Sequence, residues 1–149
     1  MVTALSLAVM VLLGAPAKKA QSMDTSAEKA AVYQAALNYV EGVYEVNPAK
    51  IEKSVHPSLT KYGFMRRPTG EYGPPGQMTY QQLLGVAASW NKDGKRDLSI
   101  KKVEVLDVLD QTAVAKVTAQ WGIDYMQLAK YDGQWKIINI IWQTHPVPR

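Results

Sequence analysis

The chain has 149 residues and a formal net charge of +4, with 47% hydrophobic and 20% charged residues. This is the size and balance of one globular domain, and it excludes a disordered chain, which would be polar and rich in charge. Because the sequence contains no cysteine, it also excludes a disulfide scaffold, iron–sulfur clusters, thiolate zinc sites and cysteine nucleophiles.

The first seventeen residues predict an export signal. Residues 4–13 are apolar apart from one serine, and this run is too short for a membrane-spanning helix, which needs about 20 apolar residues. The Ala-Pro-Ala sequence at 15–17 has the small-x-small pattern of a signal-peptidase site. We therefore predict a signal peptide at 1–17, a linker at 18–26 and a single domain at 27–145, exported to the periplasm or secreted. No Lys or Arg precedes the run, and a short N-terminal helix packed on the domain is the alternative.

Two helices are predicted next in the chain. Thr25 and Glu28 have the spacing of a capping box, and the apolar residues that follow recur at intervals of three and four. Asn47 is typical of a helix cap and is followed by proline, which fits the first position of a second helix over about 48–55. His56 and the proline after it are expected to end that helix.

The segment from 57 to 77 is rich in residues that break regular secondary structure, with four prolines and four glycines. This density predicts a loop with at most a short hairpin. Thr79 and Gln82 then form a second capping box, which predicts a helix that runs to about Trp90.

After residue 98 the apolar residues recur every second position instead of every 3.6 positions, which predicts about four antiparallel strands. Asp132 and Gly133, between the last two apolar runs, are the strongest signal for a tight hairpin. Helices that precede such strands indicate an α+β fold, with N-terminal helices packed on a curved antiparallel sheet. We expect a cavity between the first helix and the concave face of this sheet, because such enclosures are common ligand sites.

Two segments of the sequence resemble those of a known family. The first reads HPSLTK at 56–61, similar to the pattern His-Pro-x-Leu-x-Lys. The second reads DYMQL at 124–128 and DGQWKIIN at 132–139, similar to an Asp-Tyr-x-x-Leu strand followed by a Gly-x-Trp-Lys-Ile-x-Asn strand. In these segments the chain resembles the putative lumazine-binding family of the nuclear transport factor 2-like superfamily, which has a cystatin-like cone fold. The resemblance covers about residues 27–145.

This resemblance implies a cone fold but does not fix an activity. Proteins with the fold include steroid isomerases, dehydratases, polyketide cyclases and domains without catalysis, and many of them pair through the open face of the sheet. A fold shared by so many chemistries leaves function to be argued from the site.

Two residues are candidates for catalysis. His56 could act as a general acid or base, and its alternative role is to interact with the last carbonyls of the preceding helix. Asp124 lies between apolar neighbours and could act as a general base; its alternative is a solvated turn residue or a partner for a lysine. We expect one of the two near the mouth of the cavity.

Aromatic and amide side chains are the candidates for lining a ligand pocket, although most are equally suited to the core. They are Tyr39, Tyr62, Trp90, Trp121, Tyr125, Asn139 and Trp142. The cations Lys61, Arg66 and Arg67 could bind an anionic ligand, but exposed loop charges are the simpler interpretation. We predict no cofactor and no metal site, because the two histidines are far apart in sequence, and no nucleic-acid binding, because the basic residues are scattered.

The sequence therefore predicts an exported domain that binds a small molecule in an apolar, aromatic cavity. The alternatives are a cofactor-free isomerase, dehydratase or cyclase that uses His56 and Asp124, and a non-catalytic interaction module. In residues 112–121 and 134–142, apolar side chains are expected on both faces of the sheet. This favours a homodimer in which the second copy covers the face that the helices leave open.

Overall fold

A computed structural model describes residues 25–147 of the chain. Its elements are α1 (Thr25–Tyr44), α2 (Pro48–Ser54), β1 (Val55–Phe64), β2 (Gly76–Thr79), α3 (Tyr80–Ala87), β3 (Lys101–Val108), β4 (Thr112–Ala119), β5 (Gly122–Tyr131) and β6 (Gln134–Gln143). The predicted signal peptide and residues 18–24 of the predicted linker lie outside the described residues. Residues 25 and 26 of that linker belong to α1.

The strands form one six-stranded sheet in the order β2-β1-β6-β5-β4-β3. The four antiparallel strands expected after residue 98 are present as β3 to β6, and the predicted α+β class is confirmed. The sheet is nevertheless mixed, because β1 pairs with β6 in parallel. The predicted loop from residue 57 onward is wrong in its first part, where β1 runs through Pro57 and on to Phe64.

Local signals explain where two of the helices begin. The capping box that opens α3 is confirmed: Thr79 Oγ1 accepts a hydrogen bond from the Gln82 amide at 3.3 Å, and Gln82 Oε1 accepts one from the Thr79 amide at 2.8 Å. At α2 the proline occupies the first turn, but the side chain of Asn47 makes no capping hydrogen bond. The proline favours the start of α2 because its fixed φ is already helical, and the Asn47 carbonyl accepts a hydrogen bond from the Lys50 amide at 3.1 Å.

The β5–β6 hairpin turns at Asp132 and Gly133, as predicted. Tyr131 pairs with Gln134, which leaves a two-residue loop. The φ angles of Asp132 and Gly133 are 49° and 76°. Two consecutive positive φ angles define the turn type that matches the twist of paired strands.

The core lies between α1 and one face of the sheet, which we call the inner face. Side chains of alternating residues on β4, β5 and β6, such as Val117, Met126 and Ile137, are fully buried there. Glu28 on α1 fastens the helix to the sheet, because its two carboxylate oxygens accept hydrogen bonds from Lys130 Nζ at 2.6 Å and Trp135 Nε1 at 2.7 Å.

Candidate ligand-binding site

A pocket of about 220 Å³ opens between α1, α3 and the inner face of the sheet. Its lining is almost wholly aromatic or aliphatic, with one charged residue, and we call it the aromatic pocket. The lining residues are Tyr39, Val43, Lys61, Met65, Met78, Leu83, Val86, Trp90, Trp121 and Trp142.

Trp121 lies at the centre of the aromatic side chains around this pocket. Its ring meets those of Tyr39, Tyr44 and Trp90 edge-on, at centroid distances of 6.2, 5.5 and 5.3 Å. Tyr44 and Trp90 also stack on each other, with their ring planes 9° apart. Edge-to-face and stacked pairs at these distances are mutually attractive, so these contacts stabilise the aromatic wall of the pocket.

Asp124 lies behind this wall and is fully buried. Oδ1 accepts hydrogen bonds from Lys61 Nζ at 3.0 Å and from the Tyr39 hydroxyl at 3.3 Å. Oδ2 accepts a hydrogen bond from Trp121 Nε1 at 2.6 Å. A buried carboxylate requires such partners to offset its loss of hydration, and here three side chains from three separate segments provide them.

Lys61 brings the only charge that the described pocket lining carries. Its side chain is 6% exposed, and Nζ pairs with the Asp124 carboxylate while also donating to the Tyr39 hydroxyl at 2.5 Å. The ammonium lies 5.2 Å from the centroid of the Tyr39 ring and 5.5 Å from that of Trp142. At these distances the aromatic rings stabilise a cation.

The hydroxyl of Tyr39 links the lysine to the carboxylate. Burial raises the pKa of Tyr39 well above its ordinary value, and the negative charge of Asp124 raises it further. Tyr39 therefore remains protonated at any physiological pH. Its oxygen accepts from Lys61 while its proton is donated to Asp124.

The structure brings together five of the residues that the sequence predicts to be catalytic or to line the pocket. Tyr39, Trp90, Trp121 and Trp142 line the aromatic pocket, and Asp124 lies directly behind it. Asp124 shares the inner face with Met126 and Leu128, as strand parity required, but it is enclosed rather than near the mouth.

Three residues predicted to line the pocket lie instead on the opposite face of the sheet, which we call the outer face. Tyr62 and Tyr125 are 41% and 50% exposed and occupy the outward parity of β1 and β5. Asn139 donates to Gln127 Oε1 and accepts from Thr60 Oγ1, both at 3.0 Å, and so belongs to a polar row across that face.

His56 is also remote from the pocket. Its ring stacks on Tyr131 at a centroid distance of 4.3 Å, and Nδ1 lies 2.6 Å from the Ser58 hydroxyl. Tyr131 is seven residues from Asp124 along β5, a separation of roughly 23 Å at about 3.3 Å per residue. The two predicted catalytic residues therefore do not share a site.

The sequence favours an exposed loop charge at Lys61, with anion binding as the alternative, whereas the structure buries Lys61 in β1 and pairs it with Asp124. The sequence alternation of β1 does not reveal this burial, because the inward-facing Lys61 and Gly63 alternate with the more apolar Tyr62 and Phe64, which face outward. In the part of the chain that the structure describes, no three acidic or histidine side chains lie close enough to hold a metal ion. Residues 25–147 also contain no helix long and apolar enough to cross a membrane.

Comparison with known proteins identifies the family. The sequence model of the putative lumazine-binding family matches residues 27–143. The chain belongs to this family. No curated protein matches the sequence.

Solved structures share the fold. A nuclear transport factor 2-like protein of unknown function from Shewanella baltica is 17% identical, with a TM-score of 0.64 over 84% of this chain and 99% of that one. A similar protein from Silicibacter pomeroyi is 16% identical, with a TM-score of 0.63 over 83% and 100% of the two chains. A cystatin-like domain of unknown function from Nostoc punctiforme is 11% identical, with a TM-score of 0.53 over 80% and 78%. At such identities these structures establish the cone fold alone.

Proposed function

We propose that this protein is an exported binding protein that holds one small molecule in the aromatic pocket. The observation that carries the proposal is the composition of the pocket wall, which contains three tryptophans, a tyrosine and a single buried ammonium group. Ligand sites are typically concave and apolar, with a few polar groups that orient the ligand. The name of the family, putative lumazine-binding, agrees with a small-molecule ligand.

Binding without turnover is favoured over the enzymatic alternative. A general base must reach the proton that it removes, whereas Asp124 is enclosed and already accepts three hydrogen bonds. His56 lies on another part of the molecule, against Tyr131. The pocket therefore lacks a free base among the residues that the structure describes.

The proposal is tested by identifying what the native protein carries. Protein purified without refolding is denatured, and the released small molecules are identified by mass spectrometry. The variant Val86→Phe adds volume to the pocket wall and should abolish this cargo, while Leu106→Phe, which alters an exposed β3 residue, should retain it. Equal cargo in the two variants would refute binding in this pocket.

Export is tested separately. Cleavage after the Ala-Pro-Ala sequence gives a mature N-terminus at Lys18. Mass spectrometry of the periplasmic or secreted fraction should find that terminus. A cytoplasmic species that retains residues 1–17 would contradict export.

We further propose that two copies pair through their outer faces. Tyr62, Ile141 and Tyr125 lie side by side in one row across β1, β6 and β5, and each is between 41% and 51% exposed. Exposed apolar residues that form a continuous row favour association. Ile141→Glu should shift the protein from dimer to monomer in sedimentation, whereas Leu106→Glu should not. A monomeric parent protein at micromolar concentration would contradict the dimer.

A further inference from the structure

We infer that the aromatic pocket selects a neutral ring compound that carries a carbonyl oxygen, and that the Lys61 ammonium holds this oxygen. The inference rests on the proposed function, because it names the class of ligand that the pocket would bind. It follows from the hydrogen bonds that Lys61, Asp124 and Tyr39 already make with one another, and from the neutralisation of the Lys61 charge by Asp124.

The first step concerns the third N–H donor of the Lys61 ammonium group. An ammonium group has three N–H donors. Among residues 25–147 its acceptors are Asp124 Oδ1 and the Tyr39 hydroxyl, which account for two of the three. Lys61 lines the pocket, so the remaining donor is available to a ligand there.

The second step is the lack of a free acceptor for the ligand. Asp124 is fully buried and both of its oxygens accept hydrogen bonds from the protein, so it is closed to a ligand, and the Tyr39 hydroxyl donates to Asp124 as well as accepting from Lys61. The indole nitrogens of the lining tryptophans can only donate. For a ligand donor, the lone-pair acceptors among the described lining side chains are only the weakly accepting sulfurs of Met65 and Met78. A ligand ammonium could still contact the aromatic rings, but it would place a second cation beside Lys61.

The third step concerns charge. Asp124 lies 3.0 Å from Lys61 Nζ and already neutralises it. A ligand carboxylate beside Lys61 would place two anions against one cation in a site shielded from water, and like charges at such distances disfavour ionisation. A carbonyl oxygen carries no net charge and still forms a charge-assisted hydrogen bond with the ammonium. The arrangement therefore favours a carbonyl over an acid.

The fourth step is size and shape. The pocket volume of about 220 Å³ lies below the ~300–1,000 Å³ typical of pockets for drug-sized ligands. The flat indole rings of Trp90, Trp121 and Trp142 form much of its wall, and aromatic faces and edges favour planar partners. One ring or two fused rings is the expected scale of the ligand.

The test uses four probes that share one bicyclic skeleton: indane, 1-indanone, indane-1-carboxylate and 1-aminoindane. Binding is followed by tryptophan fluorescence in the full chain carrying Trp135→Phe, so that the signal comes from the three tryptophans of the pocket. Hydrogen bonds to charged groups are worth enough that 1-indanone should bind about tenfold more tightly than indane. The carboxylate and the amine should each bind more weakly than the ketone.

Two variants assign the preference to Lys61. Lys61→Met removes the ammonium, and Lys61→Met with Asp124→Asn removes both charges and so avoids an unpaired buried anion. Each should lose the preference for 1-indanone, measured as the ratio of the 1-indanone and indane affinities within the same variant. Lys116→Met is the matched control, because that lysine lies on the outer face above the Tyr125 ring, and this variant should keep the preference.

The possible outcomes separate the inference from the proposed function. If indane binds but 1-indanone binds no more tightly, the inference is wrong while binding in the pocket stands. The inference is equally wrong if indane-1-carboxylate binds best, or if the double variant keeps the ketone preference. If none of the four probes alters the fluorescence up to millimolar concentration, the inference is wrong, and the proposed function is then decided separately by the cargo of the Val86→Phe and Leu106→Phe variants.

Discussion

Replacement of Lys61 by methionine should destabilise the protein strongly, because it would leave the Asp124 carboxylate buried without its counter-charge. The side chains of Lys61 and Asp124 are 6% and 0% exposed, and their atoms are 3.0 Å apart. Removal of one partner from a buried pair costs about 3–5 kcal/mol. Hydrogen bonds from Tyr39 and Trp121 remain on the carboxylate, so we expect a loss near 3 kcal/mol.

The double variant tests whether this cost arises from the unpaired charge. Asp124→Asn keeps an oxygen that can accept from Trp121 or Tyr39 but removes the negative charge. Together with Lys61→Met it should cost at least about 2 kcal/mol less than the sum of the two single changes, since residues in contact couple by as much as ~3 kcal/mol. Urea denaturation followed by circular dichroism gives each free energy of unfolding.

An exposed ion pair provides the matched control. Lys102 and Glu104 are 2.9 Å apart, but their side chains are 67% and 32% exposed. The corresponding cycle, Lys102→Met with Glu104→Gln, should couple by less than about 1 kcal/mol, and added salt should weaken it. If the changes at Lys61 and Asp124 add to within about 0.5 kcal/mol, the assignment of a coupled buried pair is refuted.

Three further predictions concern the framework of the site, and each is measured as the free energy of unfolding. Gly133→Val should cost more than about 1 kcal/mol, because φ at this position is +76°, which strains a β-branched residue. No neighbour lies within 4 Å of an added Cβ, so the cost is assigned to the backbone rather than to a clash. An unchanged stability would contradict the turn geometry. The hydrogen bond from Lys130 lowers the pKa of Glu28 below its ordinary 4.5, so the pair contributes its full stabilisation above pH 4.5 and loses it as the pH falls through the lowered pKa. The difference in unfolding free energy between the parent and Glu28→Gln should therefore shrink from pH 7 to pH 3. A constant difference would count against the pair. Gly63→Ala would place a Cβ 1.7 Å from Trp142 Nε1 and should cost about 1–3 kcal/mol while changing tryptophan fluorescence; a silent substitution would mean that Trp142 does not cover this glycine.

The sequence by itself determined the elements whose causes are local. The reciprocal hydrogen bonds of Thr79 and Gln82 start α3 with groups only three residues apart. Asp132 and Gly133 fix their hairpin through backbone conformations that few other residue pairs adopt. The alternation of apolar residues after position 98 sufficed for the antiparallel strands, because a strand buried on one face repeats every two residues.

Only the tertiary structure decided the remainder, and the reason is the distance in sequence between the partners. β1 forms because its residues pair in parallel with β6, as Thr60 does with Asn139, and no local pattern can show such a partner. Strand parity placed Asp124 on the same face as Met126, but which face meets the helices depends on how the whole sheet packs. The buried group of Lys61, Asp124 and Tyr39 joins β1, β5 and α1. Each of its members costs free energy to bury alone, so their roles exist only once the fold has brought them together.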